Sequence, residues 1–111
     1  MKTVHKKWGS ETWFINNNLY CFKKLYIKKG YMCSIHCHKI KDETFVLKEG
    51  KVILEYGNEK IEMKVYQEVR IKPNIYHRFI GLENSVIYEV STTHRENDSY
   101  RKTESGKANE E

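Results

Sequence analysis

The sequence predicts an all-β domain of antiparallel strands, and three observations carry that prediction. Apolar and β-branched residues recur with a period of two along most of the chain. Turn-forming residues interrupt them at intervals of about 8–12 residues, and no window of about 15 residues shows helical periodicity. Strands of that length and spacing close into an antiparallel sandwich or barrel.

Taken in order, the alternation runs through Leu25 and Ile27; Met32, Ser34, His36 and His38; Phe45 and Leu47; Val52, Leu54 and Tyr56; Ile61, Met63 and Val65; Val69 and Ile71; Arg78-Phe79-Ile80; and Val86, Tyr88 and Val90. The breaks fall at Lys28-Lys29-Gly30, Lys39 to Asp42, Lys48-Glu49-Gly50, Tyr56-Gly57-Asn58 and Lys72-Pro73-Asn74. Each carries turn chemistry, with Gly or Asn able to take a positive φ. Thr92 to Arg101 reads as a short helical or irregular cap. From Lys102 onward the chain is polar and lacks aromatic and β-branched apolar residues, which predicts a disordered tail. The expected organisation is therefore one domain over residues 1–101, with an N-terminal strand and a C-terminal cap, and a tail over 102–111.

At 111 residues the chain supports one core. Its mean hydropathy of -0.77 and its 32% charged residues describe a soluble protein with no membrane partner. Met1 to Lys7 lacks an apolar signal core, and three cysteines at 21, 33 and 37 form no CxxC pair. Both features predict a cytoplasmic protein with reduced thiols. The net charge is +5, and +6 once the last ten residues, with two Lys and three Glu, are set aside. That balance favours an anionic small-molecule ligand; the lysines are scattered among Glu and Asp, with no basic helix or arm, so nucleic acid is not expected.

The segment from Gly30 to Gly50 holds the chemistry. On a strand, positions i and i+2 share a face, so His36 and His38 project side by side while Cys37 points away as a small buried hydrophobe. A short turn returns the chain and brings Glu43, at the start of the next strand, alongside both imidazoles. His77, after the turn at Lys72-Pro73-Asn74, supplies a fourth ligand from across a barrel. Imidazoles and a carboxylate in this arrangement suit Fe(II), Mn(II), Zn(II), Ni(II) or Cu(II).

The spacing Gly30-x5-His36-x-His38-x4-Glu43-x6-Gly50 resembles the first motif of the cupin superfamily. Lys72-Pro73-Asn74-Ile75-Tyr76-His77 is similar to its second motif, with Lys72 in place of the usual Pro and Asn74 in place of the usual Gly. Tyr66 stands where a Gly usually opens that motif, and Gly81 where a late Asn is usual. The resemblance covers most of residues 8–101 and implies a double-stranded β-helix, or jelly-roll, barrel holding one divalent metal per chain (Mn, Fe, Zn or Ni) on His36, His38, Glu43 and His77. Trp8-Gly9-Ser10-Glu11, Lys41-Asp42-Glu43-Thr44-Phe45 and Ile87-Tyr88-Glu89-Val90-Ser91-Thr92 further resemble the small cupin module of type II mannose-6-phosphate isomerases and related sugar isomerases.

That narrower resemblance implies an aldose–ketose isomerase acting on a sugar or sugar phosphate, with a metal-dependent dioxygenase and a non-catalytic binding module as rivals. Isomerisation needs a base, and Glu43 and Glu89 are the candidates. Arg70, Lys72 and Arg78 are candidates for holding a substrate phosphate or carboxylate, although alternation turns Arg78 away from His77 and suits it to a surface salt bridge. His94 follows the last clear strand, where it can form a rim or gate. Trp8 and Trp13 are expected in the core or a dimer contact, because small cupins commonly form homodimers that cover sheet edges.

Overall fold

The structure is a computed structural model that describes residues 1–108. Its thirteen strands are β1 (Lys2–Lys6), β2 (Gly9–Asn16), β3 (Cys21–Ile27), β4 (Tyr31–Met32), β5 (His36–Cys37), β6 (Glu43–Glu49), β7 (Val52–Tyr56), β8 (Glu59–Glu62), β9 (Glu68–Ile71), β10 (His77–Gly81), β11 (Ser85–Ser91), β12 (Tyr100–Arg101) and β13 (Gly106–Lys107). No α-helix occurs among the described residues, and no helix is long and apolar enough to cross a membrane.

All pairings are antiparallel. One sheet has the order β1-β2-β3-β11-β6-β9. In the other, β10 is flanked by β7 along its length and by β4 and β5 on its other side, with β8, β12 and β13 completing the layer. The turns take the backbone conformations that their residues favour: Gly30, Gly50 and Gly57 have φ of 83°, 96° and 56°, and Asn74 has 70°.

Alternation sends one set of side chains between the sheets, and that set changes character along each strand. Ile27, Leu47, Val52 and Ile87 fill one end at 0% exposure. Leu25, Phe45, Phe79 and Trp8 follow as a second layer, with Trp8 and Phe79 in edge-to-face contact at 4.9 Å. At the other end the inward positions of β3, β6, β10 and β11 are Lys23, Glu43, His77 and Glu89, all buried. An apolar end therefore holds the barrel shut, and an ionisable end opens into a cavity.

Three expectations need correction. The predicted strand from Met32 to His38 is broken at Cys33–Ile35, because the amides of Ser34 and Ile35 donate to Ser105 Oγ (3.0 Å) and Thr103 Oγ1 (2.8 Å) instead of to a neighbouring strand. The strand predicted through Val65 ends at Glu62, ahead of a turn at Lys64–Gln67. Residues 102–108, expected to be a disordered tail, are paired: β13 runs beside β4, and Lys102 N donates to Ile35 O at 2.7 Å. Backbone and hydroxyl hydrogen bonds to an open strand edge hold this segment, which needs no apolar side chains to do so. The remainder of that predicted tail, 109–111, lies outside the described residues. The cap at Thr92–Arg101 is irregular, ending in β12.

Candidate metal centre

His36 and His77 are cross-strand partners of β5 and β10, His38 follows β5, and Glu43 opens β6. One ring nitrogen from each of His36, His38 and His77 lies within 4.8 Å of the others. Glu43 Oε2 is 3.1 Å from His77 Nε2 and 3.3 Å from His38 Nε2. Of the four residues that the sequence singled out as ligands, the three histidines thus converge and Glu43 adjoins two of them.

The backbone determines how the rings are protonated. His36 Nδ1 lies 2.7 Å from Ser34 O, His38 Nδ1 2.6 Å from Asp98 O, and His77 Nδ1 3.0 Å from Ile75 O. A carbonyl oxygen only accepts, so each Nδ1 carries the proton and donates it. In the neutral ring the other nitrogen is then a bare acceptor. Burial, with the neighbouring His77 second, lowers the His36 pKa to about 3, and burial likewise lowers that of His38. The neutral His36 and His38 rings therefore present bare Nε2 lone pairs to the cluster, that of His38 toward the Glu43 carboxylate. Glu43 Oε2 and His77 Nε2 are buried with no hydrogen-bond donor, which is costly unless a cation stands among them. Three imidazole nitrogens and a carboxylate oxygen fit one divalent transition metal, with the carbonyl contacts to Nδ1 as supporting shell.

Asp98 completes that shell. Its carboxylate accepts hydrogen bonds from the amides of Lys39 (2.8 Å), Ile40 (3.2 Å) and Lys41 (2.9 Å), while its carbonyl holds His38. The segment beyond β11 is thereby locked onto the turn between His38 and Glu43. Burial pushes the Asp98 carboxyl up, but the amide donors outweigh it and hold its pKa below the ordinary carboxylate range.

Beside this cluster lies a cavity of about 300 Å³, lined by His36, His38, Glu43, Glu89 and His94 among others. Glu89 is 5% exposed, and its Oε2 accepts from Lys41 Nζ at 3.0 Å. The same ammonium lies 3.5 Å from Glu43 Oε1 and 3.4 Å from His94 Nδ1. Burial depresses the Lys41 pKa, but the two carboxylates more than restore it and keep the group charged. Burial, and after it the Lys23 and Lys41 ammoniums, lower His94 to about 3, so its Nδ1 serves as an acceptor.

Glu89 and His94 line the cavity, whereas Arg70, Lys72 and Arg78 do not. On β9, Val69 and Ile71 point inward, so Arg70 points out and forms a two-pronged pair with Asp42. Lys72 follows Ile71 and is exposed. Arg78 sits between the inward-facing His77 and Phe79, and its Nε donates to Glu55 Oε1 at 3.0 Å. Sequence reasoning missed Lys23, Lys41 and Asp98. Lys23 had a signal, being a charged residue in the inward phase of Cys21, Lys23, Leu25 and Ile27. Asp98 had none, because its partners lie 57–59 residues away.

No family model and no curated protein matches the sequence. Solved structures do. KdgF from Halomonas sp. is 15% identical, with a TM-score of 0.74 over 79% of this chain and 81% of that one. An RmlC-like cupin from Shewanella frigidimarina is 14% identical, with a TM-score of 0.73 over 79% and 78%. The capsular polysaccharide assembling protein CapF from Staphylococcus aureus is 22% identical, with a TM-score of 0.73 over 90% of this chain and 32% of CapF, so this chain spans about a third of CapF's length. On these likenesses, together with its two facing antiparallel sheets, the chain has the cupin fold, a double-stranded β-helix.

Proposed function

We propose that the protein is a metal-dependent isomerase of a sugar or sugar phosphate. The observation that carries this reading is the placement of Glu89. Its buried carboxylate opens into the same cavity as the histidine cluster, and one oxygen is anchored by Lys41 while Oε1 takes no hydrogen bond from any described residue. A base of this kind, beside a site that can hold a divalent metal, is what proton transfer between neighbouring carbons of a sugar requires.

His36, His38, Glu43 and His77 would hold the metal, whose contribution when bound is Lewis-acid polarisation of a substrate carbonyl. Glu89 Oε1 takes the proton from the carbon next to that carbonyl and returns it to the carbonyl carbon, while the hydroxyl proton of the first carbon passes to the former carbonyl oxygen. The carbonyl thereby moves by one carbon, and aldose and ketose exchange with no net change in atoms. Lys41 keeps the Glu89 carboxylate oriented. Phe45, Phe79 and Trp8 close the apolar side of the cavity and exclude water. The volume lies at the small end of ligand cavities and suits a monosaccharide or its monophosphate rather than a nucleotide sugar. The residues shared with the type II mannose-6-phosphate isomerase module support the same reading, as does the likeness to CapF, whose name ties it to capsular polysaccharide.

The test is transfer of solvent deuterium to C1 or C2 of a recovered sugar. Wild-type protein should catalyse it, and Glu89→Gln should slow it roughly a hundredfold while leaving the metal bound. Absence of exchange with every sugar and sugar phosphate tried would overturn the isomerase reading.

A further inference from the structure

The far wall of the cavity carries positive charge that proton transfer does not use. Lys23 on β3 is only 2% exposed, and its Nζ lies 3.1 Å from His94 Nδ1 and 4.0 Å from the centre of the Trp13 ring. Its nearest carboxylate oxygen, Glu11 Oε1, is 3.6 Å away and already accepts the Trp13 Nε1 hydrogen at 2.9 Å. Lys2 on β1 brings a second ammonium to 4.2 Å from the same ring centre. Lys41 reaches the same His94 nitrogen from the metal side, so a single neutral acceptor serves two buried ammonium groups.

Burying an ammonium is costly unless a counter-charge sits in full hydrogen-bond contact, and Glu11 provides that only in part. Five cationic side chains face four carboxylates around the cavity. A divalent metal on the histidines would add to the positive excess, and a neutral ligand would leave all of it unbalanced. A ligand oxyanion beside Lys23 supplies the missing acceptor through charge-assisted hydrogen bonds in a water-poor site.

We propose that Lys23, Lys2 and Trp13 form an anion subsite for a phosphate monoester or carboxylate borne by the ligand. In order along the wall stand the histidines with Glu43, then Lys41 with Glu89, then His94, then Lys23 with Trp13. Because Lys23 is the cross-strand partner of Glu89, the anion lies on the β3 side of the proposed base, away from the histidines. Which end of the ligand lies there rests on the isomerase reading; the anion binding itself does not. This set replaces Arg70, Lys72 and Arg78 as the anion-holding residues.

Binding of glucose 6-phosphate, gluconate and glucose to the protein as purified, followed by calorimetry and melting temperature at constant ionic strength, tests the subsite. The two anions should bind and glucose at the same concentration should not, and whichever anion binds more tightly identifies the group the site prefers. Lys23→Met should weaken anion binding about tenfold or more, the range for a lost charged hydrogen bond. Lys2→Ala should weaken it about threefold, as for a more exposed charge, and Arg70→Ala should leave it unchanged. If Lys23→Met fails to fold, Lys2→Ala at its exposed position carries the test. Equal binding of glucose, wild-type affinity in the lysine variants, or loss of binding in Arg70→Ala would overturn the proposal. Anion-selective binding without deuterium exchange would leave the subsite standing and remove the isomerase; exchange without anion selectivity would do the reverse.

Discussion

The two ends of the barrel are buried to the same degree for opposite reasons. At one end Ile27, Leu47, Val52 and Ile87 have no exposed surface, and removal of that apolar area from water stabilises the fold directly. At the other end Lys23, Glu43 and Glu89, on the strands of Ile27, Leu47 and Ile87, and His77 on β10 are at most 5% exposed, yet their desolvation is unfavourable and is offset only by one another and by what binds there. Burial alone thus does not identify which end holds the protein together. Leu47→Ala should show the contrast most strongly, losing about 3 kcal/mol in urea unfolding, within the range for a buried leucine. A loss below about 1 kcal/mol would mean that the apolar end is loosely packed.

Asp98 is the point where the ionisable end contributes stability of its own. Asp98→Ala removes the acceptor for three amides and should cost about 2 kcal/mol, with weaker metal binding because the loop carrying His38 is released. The folded carboxyl has a depressed pKa, so its contribution is complete above the ordinary carboxylate range and is lost as pH falls through the lower folded value. Acid unfolding should therefore be less steep in Asp98→Ala than in the wild type. An unchanged acid transition would remove Asp98 from this role.

Glu43→Gln separates the protein from its metal. In wild type without metal, Glu43 Oε2 lies 3.1 Å from His77 Nε2 and 3.3 Å from the bare Nε2 of His38, to which a glutamine amide can donate. Lys41 loses one carboxylate and keeps Glu89. Stability without metal should change by less than about 1 kcal/mol, because the new hydrogen bond offsets the lost ion pair. With metal, affinity should fall at least tenfold, since the carboxylate ligand is gone. The drop in melting temperature on chelation should therefore be large in wild type and small in the variant, by mass action. Equal chelation effects in the two proteins would exclude Glu43 as a ligand.

The sequence made the histidine side of the cavity readable because it is nearly contiguous. His36, His38 and Glu43 sit on a strand, a turn and the next strand start, where period-two alternation is enough to place them. Glu89 was open in sequence to a solvent or a pocket reading, because the apolar alternation of Val86, Tyr88 and Val90 runs in the opposite phase. In the structure Ile87 and Glu89 point inward and Val90 outward, whereas Lys23 does share the phase of Leu25 and Ile27. Lys41 lies in a turn, where alternation says nothing, and its importance emerges only once Glu43, Glu89 and His94 are brought together by strands far apart in sequence. Residues 102–108 look like a tail because their bonds are made by backbone and hydroxyl groups, which leave no mark in a hydropathy pattern.

The smallest effect concerns a residue at the junction of sequence and geometry. Tyr66 occupies the position where the cupin motif usually has Gly, and its φ of 66° shows why a Gly suits that position. A left-handed conformation costs a residue with a Cβ about 1–2 kcal/mol, and the backbone is held there by Tyr66 N donating to Leu47 O at 2.7 Å. The tyrosine ring is 67% exposed, and its contact with Lys48 is between exposed groups, so little packing is lost on removing it. Against the relief of strain stands the greater chain entropy of glycine in the unfolded state, of order 0.4–1 kcal/mol. Tyr66→Gly should therefore gain about 0.5 kcal/mol, read as a rise of about 2–4 °C in melting temperature. Tyr66→Ala keeps the Cβ and should show no rise, while Tyr66→Asn should fall between the two because asparagine tolerates this region better. The ordering Gly, Asn, Ala is the sharper test: a rise in Tyr66→Ala equal to that in Tyr66→Gly would trace the gain to loss of the exposed ring rather than to the backbone.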